Sequence, residues 1–429
     1  MGPICRRERS AHSTVNTGWT IVLQVHVFTS AAANYLPKVR VLFDSLTEHH
    51  PEWRQHLLLV EDWSGPQCDA LNLSAEVVQP RDLDIPNWRQ WSFCHDLVEL
   101  CTAVKPYMLS KLVAREDCDA VLYFDPDIKL FSRLDDLLGE FSTSSILLTP
   151  HQVHPESSLE AIISQEISSL KHGIYNLGFL GVKADNEGAR FADWWRQRLY
   201  HFCRDDIPNG LFTDQRWIDL VPAMFSSVNI LRSTRFNVAS WNASTRELSI
   251  DDQGCVNAGG EKLGFYHFTA VDSGDHDLQI LKFQNNFDAA NRLVSSYLIE
   301  LAGHESGSKI SDWTFARFVD GSLISSSWRK WYRDVPEAKL KAADPWLSPG
   351  YFRGLSDKAL ARLDHTLVAN EHLDNRHGMS VMKFVRFLGA LVRSPKRVKN
   401  LGAVVCRIWK SEGIRGLARR FRYLMEDAS

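Results

Sequence analysis

The sequence predicts an α/β protein: a mixed, mainly parallel sheet flanked by helices, followed by a helical C-terminal extension. Three observations carry this. Apolar runs such as WTIVLQVHVF (19–28), AVLYF (120–124) and SILLT (145–149) are strand-length and uninterrupted, as expected for strands covered on both faces. Segments with apolar residues at helical spacing separate them, and strand–helix alternation lays successive strands into one largely parallel sheet. From Leu278 onward the pattern is helical for long stretches, interrupted at SGSK and DPWLSPG.

In chain order, the first strand is followed by the small-residue loop TSAAAN. A helix comes next, with Leu36, Val39, Leu42, Phe43 and Leu46 on its apolar face. HLLLVEDW (56–63) reads as a second strand ending in two acids, and Glu99 to Val113 as a further helix. AVLYF is the third strand and SILLT the fourth. NLGFLGV (176–182) is strand-like, and Glu187 to Cys203 is helical, with Phe191, Trp194, Trp195 and Leu199 inward. Thr213 and Asp214 suit the start of a short helix, DQRWIDLV, and GFYHFTAVDSG (264–274) is a short strand with a loop. The expected organisation is a leader over 1–18, a catalytic domain over 19–275, a helical extension over 276–350 and a basic tail over 351–429.

Composition narrows the class. The 429 residues carry a net charge of -3, with 44% hydrophobic and 24% charged residues, as in soluble globular proteins. Eight cysteines stand singly without a C-x-x-C pair, which argues against a zinc site and a secreted disulfide framework and for reduced thiols in a cytosolic compartment. The first eighteen residues lack the apolar core of a signal peptide, and no run of eighteen apolar residues occurs.

Strand ends carry the chemistry. In parallel sheets ligands gather beyond the carboxyl ends of strands, where Asp62, Asp125 and Asp127 are expected. In LYFDPDI, Asp125 and Asp127 are two residues apart and face the same side, while Pro126 turns the chain out of the sheet. Two convergent carboxylates repel unless a cation lies between them, and Mg²⁺ or Mn²⁺ would leave positions open for substrate phosphates. Taken alone, the same residues also make a solvated turn.

The segment resembles the D-x-D motif of GT-A (Rossmann-like) glycosyltransferases. Other segments occur in the order seen in the retaining, nucleotide-sugar-dependent galactosyltransferase and glycogenin-like families: NYLPKVRVLFDSLTEHHP (34–51), LCTAVKPYML (100–109), YNLGFLGV (175–182), TDQRWIDLV (213–221), RFN (235–237) and YHF (266–268). FARFVDGSLISSSWRKWYR (315–333) is similar to the tail of a bacterial subgroup acting on lipopolysaccharide or other surface polysaccharides. The resemblance spans roughly residues 20 to 275.

The resemblance implies site residues and roles. Asp125, Asp127 and His267 would ligate Mn²⁺ or Mg²⁺, the imidazole favouring Mn²⁺. Thr29, Asn34, Tyr35, Asp62, Lys105 and Asp125 would hold the nucleotide-sugar donor, with Lys105 facing its diphosphate. Asn176 and Asp214 would grip sugar hydroxyls, and Gln215 would lie near the anomeric carbon. From the residues alone, a core histidine, a core aromatic, a solvated lysine and loop caps remain open for His267, Tyr35, Lys105 and the Asn176/Asp214 pair. Retention of configuration comes from the resemblance only. One departure stands out: the related enzymes carry Lys-Pro-Trp after the histidine, whereas TAVDSGDHD here has no lysine, leaving Arg216 or Arg235 to substitute.

The tail adds an expectation about partners. From Lys383 to Arg422 twelve basic residues meet one acid, Glu412, among aromatic and aliphatic residues. That composition fits contact with an anionic membrane, where a lipid-linked or glycan acceptor would be met, in preference to the alternative of ordinary surface helices packed on the catalytic domain. The expected location is cytoplasmic, peripheral at the inner face of the membrane. No nucleic-acid partner is expected, since no binding motif accompanies the charge. Competing readings are a haloacid-dehalogenase-type phosphotransferase, whose D-x-D lies on the first strand, and an inactive membrane-associated binding protein. A sugar nucleotidyltransferase would need a glycine-rich loop that TSAAAN lacks.

Overall fold

The structure is a computed structural model that describes residues 23–305, 312–356, 360, 400, 403 and 405–407. Seven strands form the main sheet: β1 (Val25–Ala31), β2 (Arg54–Leu59), β3 (Glu76–Val78), β4 (Ala120–Phe124), β6 (Ile146–Pro150), β7 (Tyr175–Lys183) and the strand Val228–Ile230. Between β4 and β6 in the chain, β5 (Ile128–Leu130) leaves this sheet for a smaller one. The spatial order is Val228–Ile230, β6, β7, β4, β1, β2, β3. β7 runs antiparallel to both β4 and β6, and the other pairings are parallel, so the sheet is mixed and mainly parallel.

The apolar runs explain this layering. Every residue of β1, β4 and β6 is buried, as central strands covered on both faces require. One cover is built on Leu36–His49, whose Val39, Leu42 and Leu46 pack with Leu57 of β2 and Leu122 of β4. The opposite cover includes Lys105–Val113 and Asn186–Phe202, where Met108, Phe191 and Trp195 pack with Phe28 and Tyr123. The helical pattern over 99–113 is two helices, Leu97–Ala103 and Lys105–Val113, because Pro106 opens a new first turn.

Chain direction changes at β1: β2 and β3 lie to one side, β4 and β7 to the other, so β1 and β4 flank a topological switch point. The smaller sheet is fastened there. β5 pairs antiparallel with Phe265–His267, which pairs with Val238–Ala239. After the helices Asp275–Phe283 and Phe287–Glu305, the segment 312–356 returns to the main core, contributing Phe315, Phe318, Tyr332, Trp346 and Phe352.

Among the described residues, no helix is long and apolar enough to cross a membrane, and the seven described cysteines are free thiols. The leader over 1–18 and most of the basic tail, with its expected membrane contact, lie outside the described residues. Of that tail, Arg407 is buried, donating to Asn291 Oδ1 at 3.0 Å and pairing with Asp277.

Candidate active site

β4 delivers the two aspartates. Asp125 comes directly after its last residue, and its N–H donates to the Gly178 carbonyl of β7 at 2.8 Å. The turn at Pro126 closes with Ile128 N–H on the Asp125 carbonyl (3.1 Å). β5 then pairs Ile128 with His267, and Phe268 N–H donates to the Asp127 carbonyl at 2.8 Å. That register brings His267 to the aspartates from a distant part of the chain: Nε2 stands 3.0 Å from Asp127 and 3.8 Å from Asp125. Ligand atoms of Asp125, Asp127 and His267 all lie within 4.8 Å of one another.

Gly178 makes room for this. A Cβ there would lie 2.4 Å from the His267 ring and 2.7 Å from Asn176 Oδ1, so the Asn-x-Gly pattern has a steric cause. Burial opposes a charged His267, but the Asp127 carboxylate, helped by Asp125, outweighs it and raises the pKa. Burial likewise pushes against ionised Asp127, yet His267 and Lys38 hold its pKa below the ordinary value. The residues present, two carboxylates and an imidazole, are a donor set for a divalent cation.

Two lysines face the acids. Lys105 Nζ lies 2.9 Å from Asp214 and 3.3 Å from Asp125, over the Tyr123 ring at 4.3 Å. Burial works against its charge, but Asp125 and Asp214 more than compensate, so its pKa stands well above normal. Lys38, in the first turn of the helix Leu36–His49 that Tyr35 caps, pairs with Asp272 at 2.5 Å and lies over the Tyr35 ring at 4.4 Å. Burial is again outweighed, chiefly by Asp127.

The third wall is an amide network. Asn176 Oδ1 accepts from Asn237 Nδ2 (2.9 Å) and Gly178 N–H (3.0 Å), while its Nδ2 reaches His151 and Gln215 Oε1 (3.2 and 3.3 Å). Gln215 Oε1 also accepts Leu177 N–H at 3.1 Å. Burial drops the His151 pKa to about 4, leaving a neutral ring there. Thr213, Asn237 and Ala270 hold positive φ values of 43, 52 and 56°. For a β-branched residue such as Thr213 this is strained, and the strained turn sets Asp214 against Lys105.

One cavity of about 1410 Å³ joins these parts. Asn34, Tyr35, Lys105, Asp125, Asp127, Asn176, Asp214, Gln215 and His267 all line it. Thr29 and Asp62 do not. Thr29 is fully buried within β1, and Asp62 turns outward to pair with Arg81 at 2.7 Å. Its neighbour Glu61 takes the inward direction, 1% exposed, and accepts Ala33 N–H at 2.9 Å. Neither arginine considered for the missing loop lysine lines the cavity: Arg235 is bound by Asp136 and Ser132, and Arg216 by Asp219 and the Leu170 carbonyl. Sequence reasoning missed Lys38, Glu61, His151 and Trp241, whose ring meets His267 edge-on at 5.0 Å. Lys38 was findable, since it stands three residues after Tyr35, in the first turn of the helix that Tyr35 caps.

No family model matches this chain. Among curated proteins, it is similar to the uncharacterized protein YfnF of Bacillus subtilis (strain 168), 26% identical over 177 residues, 41% of this chain and 57% of that one. It is also similar to the uncharacterized protein YfnD of the same organism, 26% identical over 254 residues, 58% of this chain and 76% of that one. The chain thus spans little more than half the length of the first of these relatives. Solved structures that it resembles are glycosyltransferases. They include the galactosyltransferase LgtC in complex with donor and acceptor sugar analogs (16% identity, 67% of this chain and 98% of that one, TM-score 0.40). Mouse xyloside xylosyltransferase 1 (14%, 58% and 99%, TM-score 0.35) is another, as is GlyE of Streptococcus pneumoniae TIGR4 (15%, 51% and 47%, TM-score 0.35). Overlaps of that size carry no argument about this chain, and the functional reading rests on its own geometry.

Proposed function

We propose that this chain is a glycosyltransferase that moves a sugar from a nucleoside-diphosphate donor, a UDP-sugar, to a glycan or lipid-linked acceptor. The observation that carries the reading is the convergence of Asp125, Asp127 and His267 in a cavity that also holds Lys105, Asn176, Asp214 and Gln215. Its volume of about 1410 Å³ exceeds the ~300–1,000 Å³ of a usual small-molecule pocket, leaving space for a donor and an acceptor together.

Asp125, Asp127 and His267 would hold Mn²⁺ or Mg²⁺, with Mn²⁺ favoured by the imidazole. When bound, the metal supplies Lewis-acid stabilisation of charge on the departing diphosphate. Lys105 keeps a permanent positive charge beside Asp125 and neutralises the same leaving group from the protein side. Asn176 and Gln215, joined by a hydrogen bond, and Asp214, held by Lys105, orient the sugar through its hydroxyls. Retention of configuration, synthesis of a bacterial surface polysaccharide such as lipopolysaccharide, and work at the cytoplasmic face of a membrane complete the proposal. The first two rest on the resemblance of motifs.

The test is release of nucleoside diphosphate from a panel of UDP- and GDP-sugars, with and without Mn²⁺. Metal-dependent release from at least one donor is expected. Metal-dependent phosphate release from p-nitrophenyl phosphate, with no nucleotide released from any sugar donor, would transfer the chain to the phosphotransferase class.

A further inference from the structure

The donor reading places sugar and diphosphate but not the base. Sheet order decides where the base has room. In the spatial order β7, β4, β1, β2, Asn176 of β7 flanks Asp125 on one side. Val60 and Glu61, just past β2, lie on the other, two strands and so about 10 Å away. With the sugar on the Asn176 side, a nucleoside must extend toward the end of β2.

The C-terminal extension is fastened at that spot. Trp313 Nε1 donates to the Val60 carbonyl at 3.0 Å. The buried Glu61 carboxylate accepts Ala33 N–H on one oxygen, and Thr314 N–H (2.8 Å) and hydroxyl on the other. It thereby ties the extension to the loop after β1. Further along, buried Arg329 donates to the His95 carbonyl at 3.0 Å and to the Phe315 carbonyl, and Ser326 donates to Asp96 at 2.9 Å. These contacts present Ala316 and Ile324 to the cavity, together with Ala32, Leu97 and Val98. Trp313 and Leu323 line the cavity beside them, so the stretch from Trp313 to Ile324 offers a largely apolar surface, in contrast to the acids, lysine and amides around Asp125, while Ser326, Arg329 and Lys330 line the cavity further along the chain. A flat heteroaromatic ring suits an apolar wall; a hydrated sugar or a phosphate does not.

Resting on the donor reading, we infer that the extension forms one wall of a nucleobase compartment, in which Ala316 and Ile324 touch the base of the bound nucleotide. Glu61 is the positioning residue that holds this wall.

Photolabelling of the full chain with 5-azido-UDP and Mn²⁺, with and without excess UDP, tests it. Competed label on a peptide within 312–330 is expected. Competed label confined to 23–305 overturns the inference and leaves the donor reading intact. Calorimetry with UDP and with inorganic pyrophosphate, both with Mn²⁺, separates base from phosphate contacts. In Ala316→Phe, UDP affinity should fall at least tenfold while pyrophosphate binding and the melting temperature hold. An equal fall for both ligands, or none for either, overturns the wall. If the wild type binds pyrophosphate but not UDP, the donor reading itself fails and the compartment goes with it.

Discussion

Histidine and carboxylate side chains gather at both ends of the central sheet. Where β1 and β2 begin, His26 and His56 share a 2.9 Å hydrogen bond and stack at 5.0 Å. The acids around them are answered within the protein. Arg115 forks onto Asp117 at 2.8 and 3.0 Å, with Arg54 beside it, and Glu76 lies 3.1 Å from His56. Burial lowers the pKa of both histidines, His56 to about 4, so the rings are neutral. Where β4 ends, two carboxylates instead share one imidazole, Lys105 stands 3.3 Å from Asp125, no arginine among the described residues forks either acid, and all three groups face a cavity. Among the described residues, no other three such groups converge closely enough to hold an ion. The same residue types therefore make an arginine-forked salt-bridge cluster at one end and, at the other, a cluster that faces a cavity and is answered by an imidazole and a lysine.

The largest effect expected from this contrast is at Asp127. Asp127→Ala should cut metal-dependent donor turnover by about 10³-fold, the upper range for losing an electrostatic group at the reacting centre, with the melting temperature kept. Asp117→Asn, at the other end, should lower the melting temperature and leave turnover alone; the reverse pattern would erase the distinction. Gly178→Ala comes next. Its new methyl must displace His267, and a shift of that kind costs about 10²-fold in turnover while Lys105 and Asp214 stay in place. Wild-type turnover in this variant would show that His267 is not needed.

The third effect is on stability. The folded pKa of His56 lies below its ordinary 6.5, so the neutral ring's contribution is full above about pH 6.5 and is lost as pH falls toward about 4. The loss is at most about 3 kcal/mol for a ring this buried. Urea unfolding across that window should show a steeper fall for the wild type than for His56→Gln, and parallel curves would remove the role. The smallest effect belongs to Lys38. Its partner Asp272 is 60% exposed, so Asp272→Asn should cost about 1 kcal/mol or less in urea unfolding.

The sheet and the convergence of Asp125, Asp127 and His267 were legible because the signals were local or ordered. An apolar run ending in D-P-D declares a buried strand and the turn that leaves it, and the succession of Asn176, Asp214 and His267 segments supplied the rest of the lining. Glu61 and Asp62 show the limit. Adjacent acids at a strand end point opposite ways, and choosing between them requires knowing that β2 stops at Leu59 and that Arg81 waits outside. His151 and Trp241 reach the cavity only through pairing of β6 with β7 and the turn after Val238–Ala239, which no local pattern encodes. The break between Leu97–Ala103 and Lys105–Val113 had a local cause in Pro106, but the apolar spacing runs through it.

Glu61 also sets a schedule. Its two carboxylate oxygens grip Ala33, made early, and Thr314, which leaves the ribosome 253 residues after Glu61 itself. While a chain is being translated, the second oxygen of Glu61 waits for its Thr314 donors until that stretch has emerged. A nascent chain halted before it would lack both this clasp and the core aromatics that the same segment carries, so competence should arrive late in synthesis.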